Sequence, residues 1–391
     1  MSLSLGIDLS TFAYGKMMGL DSNENNGNKH EISVIIPAYN EEKSIEEVVD
    51  AQYKQTKQPK NVFLINDNSS DSTHDICKCL EKKYNTFVYI KNDHNQGKAS
   101  NINKVVSDYY DKLGDIVYIN DGDLIPDKNC LEELINGFDE PEVAAITGFP
   151  RLIAGGSLLS KAMTWGKQWQ IDVLYFRKEA QAYRNGMYVL CGAITAYKKD
   201  ILKKIPIPTR TKTEDLDYTW ILIENGYKLR FQKKATAKSY DVVGMKEHWK
   251  QTLRWHSGAW QSIYSHGKNL NKAKGLLYTT LVPFWLDAAL FTALPFLYNY
   301  NSYVALGIVG IELISNLTTN LISSPKSLKY FPSAPLYTAM CFSSYLISAV
   351  KTTNEKIMHK EDQWKNRWEK QVIKDPVAKN IPKNQEEQNE K

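Results

Sequence analysis

Short apolar runs alternate with amphipathic stretches in the first third of the chain. A run rich in β-branched and aromatic residues and bounded by polar turn residues predicts a buried strand. Four such runs are Ile32–Pro37, Val62–Ile65, Phe87–Ile90 and Ile116–Ile119. Because apolar residues at helical spacing lie between them, the pattern predicts βαβ crossovers and a mostly parallel sheet with helices on both faces.

The second half of the chain is patterned differently. Two further strands are predicted at Val143–Ile146 and Val189–Ile194, separated by a long aromatic helix over Leu158–Tyr183. Another helix is predicted to begin after Thr213, whose hydroxyl would cap it, and to end at Asn225.

A further helix, predicted over Glu247–Ser265, has two distinct faces at about 100° per residue. One stripe is apolar and would lie on a membrane or on the core: Trp249, Leu253, Trp260 and Tyr264. The roughly opposite face carries Gln251, Arg254 and Trp255. An amphipathic surface helix explains the stripe but not this second face. Arg pairs with phosphate and Trp offers a flat apolar ring, so this face is expected to border a catalytic crevice.

Long apolar segments follow. Leu276–Tyr298 and Ser302–Ile322 are each predicted to cross a bilayer, whereas Phe331–Val350 is expected to be re-entrant or interfacial. A buried helical domain is the alternative. We therefore expect a flexible segment at 1–30, a catalytic domain at 31–245, amphipathic interface helices at 246–275, transmembrane helices at 276–350, and a polar, partly disordered tail at 351–391, where Trp364 and Trp368 would touch the membrane surface.

Composition narrows the class of protein. The 391 residues are 42% hydrophobic and 24% charged, as in globular proteins, and the net charge of +5 without a Lys/Arg block argues against nucleic acid as a partner. The five cysteines lack metal-ligand spacing and suit a reducing compartment. No signal peptide is expected in the first thirty residues.

The candidate chemistry centres on Asp121-Gly122-Asp123, directly after the fourth predicted strand. Ligands of open α/β sheets bind beyond the carboxyl ends of the strands. Two neighbouring carboxylates repel each other unless a cation neutralises them, and Mg²⁺ or Mn²⁺ is held by one or two carboxylates together with phosphate oxygens. A polar turn without any ligand is the alternative for this tripeptide alone.

Several short motifs occur in a fixed order: Val34–Glu42, Asp67 with Ser69–Thr73, Gly97-Lys98-Ala99, Asp121-Gly122-Asp123, Thr213-Glu214-Asp215 and Gln251-x-x-Arg254-Trp255. Over roughly residues 30–260 the chain resembles the family 2 glycosyltransferases. The resemblance is strongest to the membrane-embedded processive synthases of hyaluronan, chitin, cellulose and poly-N-acetylglucosamine. It implies a GT-A fold, a Rossmann-like α/β sheet, followed by a helical membrane region.

The resemblance also implies roles for residues. Four would line a uridine pocket: Pro37, Ala38, Asn40 and Glu42. Asp67 would hold the base or ribose, Lys98 would approach the nucleotide, and Asp121 would contact ribose or metal. Asp123 would be the main ligand of Mg²⁺ or Mn²⁺.

The remaining roles implied by the resemblance concern catalysis. Asp215, beside the substrate-contacting Glu214, would be the general base for the acceptor hydroxyl. Gln251 and Arg254 would hold the departing diphosphate, and Trp255 would border the acceptor sugar. One carboxylate base suffices for displacement with inversion, so an α-linked UDP-sugar would give a β-linked product.

The expected activity is therefore polysaccharide synthesis at a membrane by an integral protein with a cytoplasmic catalytic domain. Transfer of one sugar to a lipid acceptor, such as polyprenyl phosphate or a ceramide-like lipid, is the second hypothesis. A non-catalytic nucleotide-sugar-binding subunit is the third. The chain departs from the processive pattern in two ways, since no N-terminal span is visible and the C-terminal membrane part is short. We therefore expect a second copy or an accessory subunit as a partner.

Overall fold

The computed structural model of the chain describes residues 30–138 and 140–358, together with the single residues Ser10, Ala13 and Met17. The flexible lead-in predicted before residue 30 and most of the predicted tail, including Trp364 and Trp368, lie outside these residues. Their predictions stay untested.

Eight strands form one mixed sheet: β1 Ile32–Ala38, β2 Val62–Asn66, β3 Phe87–Lys91, β4 Ile116–Asn120, β5 Leu124–Pro126, β6 Val143–Ile153, β7 Ile194–Lys198 and β8 Lys228–Tyr240. Their order across the sheet is β3-β2-β1-β4-β7-β6-β8-β5. The first four strands are parallel, as predicted. Strand β7 runs antiparallel to both of its neighbours, so the second half of the sheet is mixed.

Twelve helices are found in the described residues: α1 Ile45–Tyr53, α2 Thr73–Lys83, α3 Lys98–Asp108, α4 Cys130–Ile135, α5 Leu158–Tyr183, α6 Lys199–Lys204, α7 Glu214–Glu224, α8 Met245–His266, α9 Lys274–Leu276, α10 Val282–Tyr300, α11 Ser302–Ser323 and α12 Ala334–Ile357. Shorter 3₁₀ segments lie at Tyr110–Lys112, Leu270–Lys272 and Pro325–Ser333, and a π-helical turn at Leu277–Leu281.

Apolar layers cover both faces of the sheet. Val34 and Ile36 of β1 pack on one face with residues of α1, whereas Ile35 packs on the other face with residues of α3. Successive side chains of a strand point to opposite faces, so a strand buried on both sides must be apolar throughout. This burial explains why the first four strands were recognisable as continuous apolar runs.

The strand predicted at Val189–Ile194 is wrong, because regular pairing begins only at Ile194. The preceding backbone N–H groups donate to side chains instead of to a neighbouring strand. Leu190 donates to Thr219 Oγ1 and Cys191 to Thr147 Oγ1, each at 2.9 Å. An apolar run is also compatible with a buried loop, and hydrophobicity alone does not separate the two.

The last helix, α12, packs against α8. On α8, His256 Nδ1 bonds Ser344 Oγ of α12 at 2.7 Å, and Trp260 Nε1 donates to the Tyr345 carbonyl at 3.3 Å. The part of the apolar stripe that includes Trp260 is therefore packed on α12. Likewise, the segment expected to be re-entrant or interfacial, Phe331–Val350, supplies most of a helix with one buried face.

Across residues 30–138 and 140–358, no helix is both long enough and apolar enough to span a bilayer. The two spans predicted at Leu276–Tyr298 and Ser302–Ile322 form helices α10 and α11, but their crossing of a membrane is not confirmed.

Candidate active site

The carboxyl ends of β1 and β4 bring three acids together. The two strands are adjacent and parallel, so the turn after β1 lies beside Asp121-Gly122-Asp123. Ser44 Oγ donates to the Gly122 carbonyl at 2.9 Å and to Glu41 Oε2 at 3.0 Å. An ideal Cβ placed on Gly122 would lie 2.9 Å from Glu41 Cγ. Glycine is therefore needed here because Glu41 occupies the space that a side chain would take.

Burial and repulsion from neighbouring carboxylates raise the pKa values of Glu41 and Asp123. Burial first, and then the charge of Asp123, raise the pKa of Glu41 to about 7. Burial and the charge of Asp121 raise the pKa of Asp123 to about 6. A cation would relieve this repulsion and favour the ionised forms.

The donor set suits a cation shared with a ligand. Among the residues described, no three His, Cys, Asp or Glu side chains are placed to hold a metal ion. Mg²⁺ and Mn²⁺ are commonly held by one or two carboxylates plus phosphate oxygens, which is what Asp121 and Asp123 can offer. The residues present therefore fit a divalent cation that binds together with a phosphorylated substrate.

Lys98, the first residue of α3, connects this acidic turn with the rest of the site. Its Nζ forms an ion pair with Asp121 Oδ1, donates to the Gly192 carbonyl at 3.0 Å and lies 3.8 Å from Glu214 Oε1. Burial alone would lower the pKa of Lys98, but the attraction of Asp121 and Glu214 outweighs burial and raises it. Lys98 is therefore a charged link among three segments.

Asp215 is oriented by backbone groups. Its Oδ2 accepts the Gly192 N–H at 3.1 Å, and its Oδ1 accepts the Leu216 N–H at 2.8 Å. An ideal Cβ on Gly192 would lie 3.0 Å from Asp215 Cβ, so a larger residue would displace the carboxylate. Gly192 thus accepts a hydrogen bond from Lys98 through its carbonyl and donates one to Asp215 through its N–H.

A cavity of about 520 Å³ lies beside these residues, and its lining includes Lys98, Glu214 and Arg254. Arg254 is exposed, and its Nη1 donates to the Lys212 carbonyl at 3.4 Å. Asp215 and Asp123 do not themselves line the cavity. They adjoin it through Lys98, Glu214 and the Gly192 backbone.

Gln251, Arg254 and Trp255, which were predicted to share one face of α8, have different surroundings in the structure. Lys167 of α5, only 2% exposed, donates to Gln251 Oε1, pairs with Asp241 Oδ1 at 2.6 Å and lies 5.4 Å from the Trp255 ring centroid. Gln251 and Trp255, four residues apart, share one helix face, and that face packs on α5. Of the three residues, Arg254 alone lines the cavity.

Two of the residues assigned to the uridine pocket form hydrogen bonds between the loop after β1 and the loop after β2. Asn40, in the left-handed region at φ 58°, donates its N–H to Ser69 Oγ at 2.9 Å, and its Oδ1 accepts the Ser70 N–H at 2.8 Å. Glu42 Oε2 accepts the Ser72 N–H at 3.1 Å. Pro37 and Ala38 are the last residues of β1. The contacts of these residues with a nucleotide stay predictions.

Asp67 fixes the turn that leads into α3. Its Oδ1 accepts the Gln96 N–H and its Oδ2 the Gly97 N–H, both at 2.8 Å, and Asn92 Nδ2 donates to Oδ1 at 2.9 Å. Both carboxylate oxygens therefore have partners within the protein. Through this turn, Asp67 sets the position of Lys98, a role that the sequence did not reveal.

Glu41 is the acid that sequence reasoning missed. It stands between two residues assigned to the pocket, Asn40 and Glu42. A pattern of adjacent acids does not tell which one faces the neighbouring strand. The register of β1 against β4 could have indicated it, because parallel neighbours bring their carboxyl ends together.

A charge cluster centred on the buried Asp217 joins α7, which carries Asp215, to α8, which carries Arg254. Arg210 donates to both oxygens of Asp217, at 2.9 and 2.8 Å, and His266 Nε2 bonds Asp217 Oδ1 at 2.7 Å. His266 Nδ1 bonds Glu224 at 2.7 Å. Burial lowers the pKa of His266, but these two carboxylates outweigh it and raise the pKa above its ordinary value.

Close backbone approach brings the same two helices together. An ideal Cβ on Gly258 of α8 would lie 2.2 Å from Thr213 Oγ1, directly before α7. The predicted capping by the Thr213 side chain is wrong, since it makes no cap hydrogen bond. Its hydroxyl lies against α8 instead.

Replacing Asp217 by Asn is expected to lower the free energy of unfolding by about 3 kcal/mol, because Arg210 and His266 lose their buried partner. The contribution of His266 is fully present below the ordinary imidazole pKa. It is lost as pH rises through the higher pKa of the folded state. Denaturant titrations at several pH values should therefore show that the difference in the free energy of unfolding between wild type and variant becomes smaller above neutrality. Asp108→Asn, at an exposed helix end, is the control and should change stability little; equal losses for both would contradict the assignment.

Comparison with known proteins agrees with this geometry. The sequence profile described as Glycosyl transferase family 2 matches residues 33–206, which include Lys98, the Asp121–Asp123 turn and Gly192. Residues 33–206 are therefore similar to a family 2 glycosyltransferase domain. Asp215 and Arg254 lie beyond the matched residues.

Curated relatives of the domain include two staphylococcal enzymes. The chain is 27% identical over 229 residues to the poly-beta-1,6-N-acetyl-D-glucosamine synthase of Staphylococcus aureus strain COL, an alignment that covers 58% of this chain and 54% of that protein. It is 26% identical over 231 residues to the enzyme of the same name from Staphylococcus epidermidis, with the same coverage. The chain thus spans about half the length of the curated relatives that it matches.

Among solved structures, the mannosyltransferase PcManGT from Pyrobaculum calidifontis, in complex with GDP-Man and Mn²⁺, matches with a TM-score of 0.62. The match covers 90% of this chain and 95% of that protein at 17% identity. At this identity the likeness concerns the fold alone. The GT-A-like α/β architecture predicted for the family 2 domain is confirmed.

Proposed function

We propose that the chain is an inverting glycosyltransferase that moves a sugar from a UDP-sugar to a growing β-linked polysaccharide. One observation carries the proposal. Lys98 connects the acidic turn Asp121–Asp123 with Gly192, whose N–H orients Asp215, and Lys98 shares a cavity with Arg254. A cation-binding pair, a base and an anion-binding guanidinium thus surround one region of the molecule.

The departing diphosphate is the first requirement of the reaction. The bond between the anomeric carbon and the phosphate oxygen breaks, and negative charge grows on the phosphates. Arg254, exposed in the cavity, can pair with those oxygens. A divalent cation held by Asp121 and Asp123 would supply Lewis-acid stabilisation of the same charge when bound.

The acceptor hydroxyl is the second requirement. As a carboxylate, Asp215 takes its proton while the acceptor oxygen bonds to the anomeric carbon, and UDP leaves. The two backbone N–H groups hold the carboxylate in orientation but leave lone pairs free for this proton. A single base opposite the leaving group favours inversion and hence a β-linked product.

Polysaccharide synthesis and a membrane location have separate support. The curated relatives are named as poly-N-acetylglucosamine synthases, which favours N-acetylglucosamine as the first sugar to test. Large apolar side chains are exposed on α10 and α11, including Phe296 at 76% and Tyr303 at 85%. Such exposure favours burial against lipid or protein. We place the protein in the membrane, with its catalytic domain on the cytoplasmic side. A second copy or an accessory subunit would complete the path of the polymer through the membrane.

The test is to give membranes containing the full chain a panel of UDP-sugars and to record both UDP release and product size. We expect release with one sugar, UDP-N-acetylglucosamine foremost, together with a ladder of polymer lengths. A single glycolipid would instead identify transfer to a lipid acceptor, polyprenyl phosphate or a ceramide-like lipid. Absence of release with every UDP-sugar, in membranes where the chain is folded, would refute the proposal.

A further inference from the structure

Three basic side chains without an ion-pair partner among residues 30–138 and 140–358 line the 520 Å³ cavity: Lys212, Arg254 and Lys351. Two other basic residues that line the cavity already form ion pairs within the protein. Lys98 pairs with Asp121, and Lys250 lies 2.7 Å from Glu247. The cavity therefore carries an excess of positive charge, since Glu214 is the one acidic residue among those that line it.

These three cations come from separate parts of the chain. Lys212 lies between α6 and α7, Arg254 lies on α8, and Lys351 lies on α12. Burial lowers the pKa of Lys212, Glu355 partly offsets this effect, and the nearby charge of Lys351 lowers the pKa further. Bringing like charges together costs free energy that a bound anion would recover.

The beginning of α3 adds to the same positive field. Gly97, with φ 84°, precedes this eleven-residue helix, and Gly97, Lys98 and Ala99 line the cavity. The first-turn N–H groups of a helix lack intrahelical partners and favour phosphate. Three cations without an ion-pair partner among the described residues and the beginning of a helix thus line one cavity.

We propose that Lys212 and Lys351 join Arg254 in one phosphate-binding cluster, so that α12 supplies a wall of the donor site. The ligand is a nucleoside diphosphate, and the inference rests on the proposed function. A volume of about 520 Å³ lies within the usual range of small-molecule sites. The family profile ends at residue 206, so α12 is a part of the chain to which it assigns no role.

An anionic lipid headgroup has the same phosphate chemistry. Ile347 and Val350, beside Lys351 on α12, are 49% and 64% exposed. We favour the nucleotide because Lys351 lines the cavity together with Lys98, which reaches the acidic turn. A surface that only touched lipid would need no link to that turn.

The experiment compares Lys351→Gln with Lys356→Gln on the same helix. Lys356 does not line the cavity, and its Nζ lies 4.3 Å from the Tyr264 ring centroid. UDP binding to the purified full chain is measured by calorimetry. Loss of one charged contact is expected to weaken UDP binding about 10-fold in Lys351→Gln. Lys356→Gln should bind like wild type, and uridine without phosphate should bind equally to both variants.

Further variants distinguish a loss of UDP binding from a loss of folding. Lys351→Arg retains the charge and should bind UDP like wild type, even if Lys351→Gln is poorly folded. Wild-type affinity for UDP in a folded Lys351→Gln would overturn the inference. It would also be overturned if that variant lost only its binding to vesicles of anionic phospholipid. If Arg254→Gln weakens UDP binding while Lys351→Gln does not, the inference fails and the proposed function stands. If wild type binds no UDP, the proposed function fails first.

Discussion

Replacing Asp215 by Asn is expected to lower sugar transfer by about 1000-fold, the scale set by loss of a general base. The amide keeps the size of the carboxylate, and its Oδ1 can still accept one backbone N–H. It cannot take the proton of the acceptor hydroxyl. UDP release measured with saturating donor and acceptor reports the loss in turnover.

The affinity of the Asp215→Asn variant for UDP is its internal control. Asp215 contacts the Gly192 and Leu216 backbone and does not line the cavity that holds Arg254. UDP binding should therefore stay near the wild-type value while turnover falls. Turnover equal to wild type in the folded variant would remove Asp215 from the role of base.

Removing divalent cations with a chelator is expected to lower turnover by about 100-fold or more, and Mn²⁺ should restore it. The reason is that Lewis-acid stabilisation of a departing diphosphate is worth several kcal/mol. Asp123→Asn should reproduce the loss because it removes one of the two carboxylates of the turn. Calorimetric titration of Mn²⁺ in the presence of UDP gives a second readout, and this variant should bind the ion more weakly.

Asp111→Asn is the matched control for the cation experiment. Asp111 is exposed in the 3₁₀ segment after α3, and its replacement should leave both Mn²⁺ binding and turnover unchanged. Full activity in chelator, or unaltered Mn²⁺ binding in Asp123→Asn, would show that the acidic turn does not hold a catalytic metal.

Much of the parallel half of the sheet was predictable from local pattern. Strands β1 to β4 are buried on both faces, so each appears in the sequence as a continuous apolar run bounded by polar turns. The mixed half was harder. Strand β8 spans Lys228–Tyr240 with four lysines, and only its pairing with β6 and β5 makes it a strand. The strand placed at Val189 was wrong because a buried loop can be as apolar as a strand.

The sequence by itself determined the α/β class and the position of the acidic turn after β4, which follow from local periodicity and from which side chains end a buried strand. The roles of Asp215 as base and of Arg254 as phosphate partner are predictions that rest on a family resemblance. Tertiary structure decided which of them meet. Parallel pairing of β1 with β4 brought Glu41 to the acidic turn, and packing of α8 on α5 placed Gln251 and Trp255 against Lys167 while leaving Arg254 in the cavity. Lys351 reached that cavity only because α12 returns to α8, a contact between residues far apart in the chain that no local pattern records.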